Sequence, residues 1–78
     1  MSPKPELLKQ IVGKTIAGIV TREGVGAGPR YQLFMIFTDN TYVEFYGDMG
    51  WSTHLDNGDV ETVKQDASRF AGTVVVIN

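Results

Sequence analysis

One stretch of the chain, residues 30–47, predicts a β-hairpin that is apolar on both faces. Its arms are residues 31–38 and 41–46, and the Asp39-Asn40 pair between them tolerates the positive φ angles that a two-residue hairpin turn demands. Because successive side chains of a strand point to opposite faces, both faces of this hairpin carry large apolar groups. A small domain usually covers only one side of its sheet, so the second face needs a partner, a ligand or another segment of the chain.

The turn at Asp39-Asn40 fixes a register in which Ile36 faces Val43 and Phe37 faces Tyr42. One face then takes a purely apolar set: Phe34, Ile36, Val43 and Phe45. The other face takes six residues, called here the tyrosine set: Tyr31, Leu33, Met35, Phe37, Tyr42 and Tyr46. Tyrosine prefers sites at which one end of the side chain stays wet, as at interfaces. We therefore predict that the apolar set lies in the core and the tyrosine set on the outer face.

The remaining segments predict two helices and two further strands. A short helix opens at Pro3 and Pro5 and stops at Gly13, and a β-branched strand follows over residues 14–22. A second helix over about residues 59–70 begins at an N-cap, Asp59 or Asn57. The closing strand over residues 73–77 is apolar throughout, which favours a central position or cover on both sides.

The element order α-β-β-β-α-β indicates an α+β fold in a single compact domain over residues 1–78. We expect a four-stranded, mainly antiparallel sheet with both short helices packed on one face. The last strand is placed beside the first. The two helices together offer too few apolar side chains to cover both faces of the sheet.

Composition narrows the classes of protein to which the chain can belong. A chain of 78 residues has a marginal core of its own, and the absence of cysteine excludes disulfides, thiolate metal sites and thiol catalysis. The net charge is −2 and the basic residues are scattered, which argues against nucleic acid as a partner. No export signal or membrane-length apolar run is visible, so we expect a cytoplasmic protein that does not bind membranes.

The motifs that could carry chemistry are weak. The glycine-rich loop at residues 24–29 leads into a strand, whereas a phosphate cradle needs a helix after it. The loop at residues 48–59 holds the only histidine, His54, and the only tryptophan, Trp51. His54 could act as a general base oriented by a neighbouring aspartate, or share a metal ion with two aspartates, but a polar loop that caps turns is the simpler interpretation. We expect no catalytic residue, no metal and no cofactor.

Three functions remain open. The first is an interaction module that forms a homodimer or larger assembly through the tyrosine set. The second is a small-molecule-binding protein or minor enzyme with a cleft near Trp51 and His54, with Trp51 packed at the rim of the tyrosine face. The third is an accessory or inhibitor protein that binds another macromolecule.

Overall fold

The computed structural model describes residues 5–24, 31–47, 50, 52, 54–69 and 72–78. The elements in chain order are α1 (Pro5–Ile11), β1 (Ile16–Gly24), β2 (Tyr31–Phe37), β3 (Thr41–Phe45), β4 (Asp56–Asn57), α2 (Val60–Ala67) and β5 (Gly72–Ile77). The strands form one sheet in the order β4-β3-β2-β1-β5, and each neighbouring pair is antiparallel. The α+β class, the antiparallel sheet and the position of the last strand beside the first are confirmed. The strand count of four is wrong, because residues 56 and 57 pair with β3.

The β2–β3 hairpin turns through three residues instead of two. Ile36 pairs with Tyr42 and Met35 with Val43, so the predicted register is wrong by one residue. The amide of Asn40 donates to the carbonyl of Phe37 at 3.1 Å, and Asn40 has a φ of 63°. A turn followed by one left-handed residue is the usual three-residue hairpin connection. The slip moves every β3 side chain to the face opposite the predicted one.

Each helix covers a different face of the sheet. Val63 and Ala67 of α2 pack on Val20, Phe34 and Ile36. On the opposite side, Leu7 of α1 packs with Phe37 and Val43. The prediction that both helices share one face is therefore wrong. Consecutive residues of β2, Ile36 and Phe37, are both buried, and each lies under a different helix.

Local signals in the sequence set the start of α2. The Asp59 carboxylate accepts a hydrogen bond from the Thr62 amide at 2.8 Å, so the predicted N-cap is confirmed. This bond from the backbone holds the pKa of Asp59 below its ordinary value. The helix ends at Ala67, and Phe70, the predicted end, lies outside the described residues.

Strand β5 lies at one edge of the sheet and pairs with β1 on one side. The prediction that it is central or covered on both faces is wrong, since Val75 is 48% exposed and Ile77 is 59% exposed. Its first residue, Gly72, has a φ of 141°, and a side chain there would collide with the carbonyl of Glu23. Only glycine therefore fits where β5 begins to pair with β1.

Candidate functional site: an apolar face beside the first helix

Helix α1 covers only part of its side of the sheet, and beside it the described residues form an apolar groove of about 610 Å³. Six of the residues that line it, from four strands, are called here the open face: Thr21, Tyr31, Leu33, Met35, Phe45 and Val75. Gly47 and Gly50, which follow β3, line it as well. Contiguous exposed apolar surface of this kind usually marks an interaction site.

The register of the strands aligns the open face into a straight row. Thr21 of β1 pairs with Val75 on one side and with Leu33 on the other. Leu33 pairs in turn with Phe45 of β3. Directly opposed residues share a face of the sheet, so these four side chains run side by side across four strands. Tyr31, which is 52% exposed, lies two residues along β2 from Leu33 and so shares its face.

The structure brings together only half of the tyrosine set. Tyr31, Leu33 and Met35 lie on the open face, whereas Phe37 is buried beneath α1. Tyr42 lies on the opposite face because of the slip of β3, and Tyr46, which follows β3, interacts with the side chain of Glu44 on that face. The prediction of one continuous surface made by all six residues is therefore wrong. The role of these residues in an interface or ligand site stays a prediction.

Three residues of the open face, Thr21, Phe45 and Val75, were missed by sequence reasoning. A two-residue turn predicts that Phe45 lies in the core, whereas the observed three-residue turn puts it on the open face. Val75 belongs to a strand whose apolar run predicts cover on both sides. The signal for Phe45 was Asn40, which also suits the left-handed position of a three-residue hairpin loop.

Tyr42 is part of the core beneath α2. Its ring lies edge-on to Phe34, with centroids 6.2 Å apart and an interplanar angle of 60°. Burial, followed by the nearby Asp56 carboxylate, raises the pKa of Tyr42 above its ordinary value. Burial and the charge of Glu44 have the same effect on the pKa of Tyr46.

A chain of polar side chains crosses three strands on the α2 side of the sheet. Arg22, which is buried, donates from Nη1 to Oε1 of Gln32 at 2.6 Å. Gln32 donates from Nε2 to Oε2 of Glu44, also at 2.6 Å. Burial raises the pKa of Glu44 above its ordinary value, although the bond from Gln32 acts in the opposite direction. The amide of Gln32 thus connects a buried cation to a half-buried carboxylate and ties β1, β2 and β3 together.

His54 and Ser52 belong to the connection before β4 and do not line the groove. Nε2 of His54 lies 3.1 Å from Oδ1 of Asp56, and both side chains are exposed. The Ser52 hydroxyl donates to the carbonyl of Glu44 and accepts from the amide of the same residue, which fastens the connection to β3. Trp51 lies outside the described residues. Within the described part of the chain, no group of three or more His, Asp and Glu residues could hold a metal ion.

Comparison with known proteins gives no relative of this chain: no family model, no curated protein and no solved structure matches it. Among the described residues, no helix has the length and apolar character to cross a membrane. The function of the open face therefore has to be inferred from its own shape and chemistry.

Proposed function

We propose that the protein is an interaction module that associates with further copies of itself through the open face. The observation that supports this proposal is the apolar row from Val75 to Phe45, which α1 leaves uncovered across four neighbouring strands. In the proposed assembly, two sheets stack with their open faces in contact. This arrangement is a two-fold contact in which each copy presents the same surface.

The energetic balance of the proposed contact is close to even. Five apolar or aromatic side chains of the open face, from each of two copies, are already partly buried, so each gains about 1 kcal/mol on full burial. The ten side chains together then give about 10 kcal/mol, which lies within the ~4–15 kcal/mol that association costs. The net free energy of association therefore depends on the hydrogen bonds and the closer packing formed at the contact.

The shape of the molecule also favours a second copy. The chain is a thin slab of 34 × 28 × 16 Å, so its broad side offers an area similar to the ~800 Å² that each partner buries in a stable complex. The six residues of the open face carry no formal charge. Stacking therefore brings no like charges together at these six residues, and the two charged residues that also line the groove, Arg22 and Glu23, carry opposite signs.

Sedimentation of the wild-type chain and of variants at the open face tests the proposal. Tyr31→Asp puts a charge on the open face at a half-exposed position, so the chain should still fold and the mass of the assembly should fall by half. Met35→Asp should act in the same way, although Met35 also touches the core beneath α1. Val12→Asp is the matched control, because Val12 is 81% exposed and does not line the groove. A wild-type mass of 8.6 kDa at every concentration, or an unchanged assembly in Tyr31→Asp, would contradict the proposal.

A second candidate function, an apolar small-molecule site, is favoured by the size of the groove. Its 610 Å³ lies within the ~300–1,000 Å³ of typical ligand pockets. The hydroxyl groups of Thr21, Tyr31 and Thr73 would orient such a ligand. The sequence prediction instead places the small-molecule cleft near Trp51 and His54. Titration with the amphiphilic dye 8-anilinonaphthalene-1-sulfonate tests this second function, since a ligand bound to the open face should dissociate the assembly, and an assembly that keeps its mass without dye bound would contradict a ligand site there. The accessory or inhibitor role and the cytoplasmic location stay predictions.

A further inference from the structure

The two edges of the sheet differ in a way that bears on assembly. One edge is β4, which has only two residues, Asp56 and Asn57, and carries a charge. The other edge is β5, six residues from Gly72 to Ile77 with no charge and no proline. Natural proteins usually protect an edge with charges, proline, bulges or a very short strand, because its unpaired amides and carbonyls are a template for another strand. Among the described residues, such protection is seen at the β4 edge and not at the β5 edge.

The direction of each backbone group can be followed strand by strand from Glu44. The amide and carbonyl of Glu44 both bond to Ser52, so they point away from β2. In an antiparallel ladder these directions alternate, so Val43 and Phe45 bond to β2. The backbone groups of their partners, Met35 and Leu33, therefore point towards β3. Those of Phe34 and Gln32 point the other way, towards β1.

The same alternation continues to the edge. Phe34 pairs with Val20 and Gln32 with Arg22, so the backbone groups of Val20 and Arg22 bond to β2. The backbone groups of their neighbours Ile19, Thr21 and Glu23 therefore bond to β5. Thr21 pairs with Val75 and Ile19 with Ile77, so Val75 and Ile77 direct their backbone groups towards β1. The amides and carbonyls of Val74 and Val76 consequently point outwards, where no described residue pairs with them.

We propose that β5 pairs edge to edge with β5 of a second copy, antiparallel and centred on Val75. In this register, Val74 of one copy lies opposite Val76 of the other, and the outward groups of both residues exchange hydrogen bonds. Two identical strands can pair in this way without bringing like charges together, because β5 carries none. A second copy of the chain is therefore the occupant that the strand fits.

This contact is distinct from the stacking of open faces. The two-fold axis of an antiparallel strand pair stands perpendicular to the sheet, so both copies keep α2 on one side and the open face on the other. The open faces join into a wider surface that remains available for stacking. With both contacts, four chains assemble at about 34 kDa, four times the chain mass of 8.6 kDa, and the loss of either contact leaves two chains.

Amide hydrogen exchange, followed residue by residue by NMR, tests the edge contact directly. In the assembled protein, the Val74 and Val76 amides should exchange as slowly as those of Val75 and Ile77. Dilution to the single chain should restore fast exchange at Val74 and Val76 and leave Val75 and Ile77 slow. Fast exchange at Val74 and Val76 in the assembly would overturn the proposal. Slow exchange that persists in the single chain would also overturn it, because a segment of the same chain would then cover the edge.

Chemical synthesis of the chain permits a matched pair of variants. N-methylation of Val76 removes an outward donor while keeping the side chain, and should halve the mass of the assembly without loss of folding. N-methylation of Val75 removes a donor that β1 uses, and should instead lower the denaturation midpoint. An unchanged mass with N-methyl-Val76 would contradict edge pairing. The same measurements in Tyr31→Asp keep the two proposals separate, since edge pairing should survive when stacking is lost.

Discussion

Ile36 lies directly opposite Tyr42 across the β2–β3 hairpin. The left-handed Asn40 permits this pairing by closing a three-residue loop. The register places Tyr42 beneath α2 beside Phe34 and sends Phe45 to the open face. One backbone conformation in a turn thus decides which side chains form the candidate site.

The left-handed position of Asn40 gives the first prediction. Asn40→Ala should lower the free energy of unfolding by about 1 kcal/mol, because most residues with a Cβ are strained in this conformation and asparagine is strained less. Asn40→Gly should leave the stability unchanged or raise it slightly. Urea denaturation of both variants checks this, and an alanine variant as stable as the glycine variant would be inconsistent with the observed turn.

The buried position of Ile36 gives the second prediction. Ile36→Val should cost about 0.5–1.5 kcal/mol, since it leaves a methyl-sized cavity beneath α2. Ile16→Val makes the same chemical change at a position that is 49% exposed, so its cost should be close to zero. Thermal unfolding of the two variants provides the comparison, and equal losses would show that Ile36 is not in the core.

The close contact of Gly18 with α2 gives the third prediction. A Cβ at Gly18 would lie 2.9 Å from Cγ2 of Val60 and 3.1 Å from the carbonyl oxygen of Ile77. Gly18→Ala should therefore destabilise the fold by about 1–3 kcal/mol through overpacking. In a Val60→Ala background the same change should cost less, because the nearest obstacle is gone. A double-mutant cycle in urea measures this coupling, and strictly additive effects would refute the contact.

The half-buried Glu44 gives a prediction about pH. Its pKa is raised in the folded state, so its contribution to stability is present below its ordinary value of 4.5 and is lost as the pH rises through the folded value. Glu44→Gln removes this loss. Between pH 3.5 and pH 7, the free energy of unfolding of the variant should therefore rise relative to that of the wild type, by about 1 kcal/mol or less. Denaturation of both proteins at the two pH values tests this, because Asp39 and Asp59 titrate equally in both. If Glu44→Gln were instead more stable relative to the wild type at pH 3.5 than at pH 7, the prediction would be wrong.

The features that the sequence predicted correctly are those with a local signal. The hairpin was visible from its alternating apolar residues, and the start of α2 from the N-cap Asp59. The register was not, because Asp39 and Asn40 are compatible with loops of two and of three residues. The sequence also does not predict which helix covers which face of the sheet. Ile36 and Phe37 are both strongly apolar, and only the packing shows that each lies under a different helix.

Strand β5 shows a second limit of sequence reasoning. A run of valines fits a strand buried on both sides, but it also fits an edge strand with one face under a helix and the other on an interaction surface. Strand β4 has no signal in the sequence, because two polar residues cannot show the alternation of apolar and polar residues that predicts a strand. The open face could thus be anticipated through Tyr31, Leu33 and Met35, but not through Thr21, Phe45 or Val75.

The most direct test of stacking through the open face is an isotope-filtered NOE measurement on a mixture of labelled and unlabelled chains. Stacking predicts contacts between copies that join Tyr31, Leu33 and Met35 to the open face of the other copy. Contacts between copies that involve only other surfaces, or none at concentrations where the mass exceeds that of one chain, would contradict it.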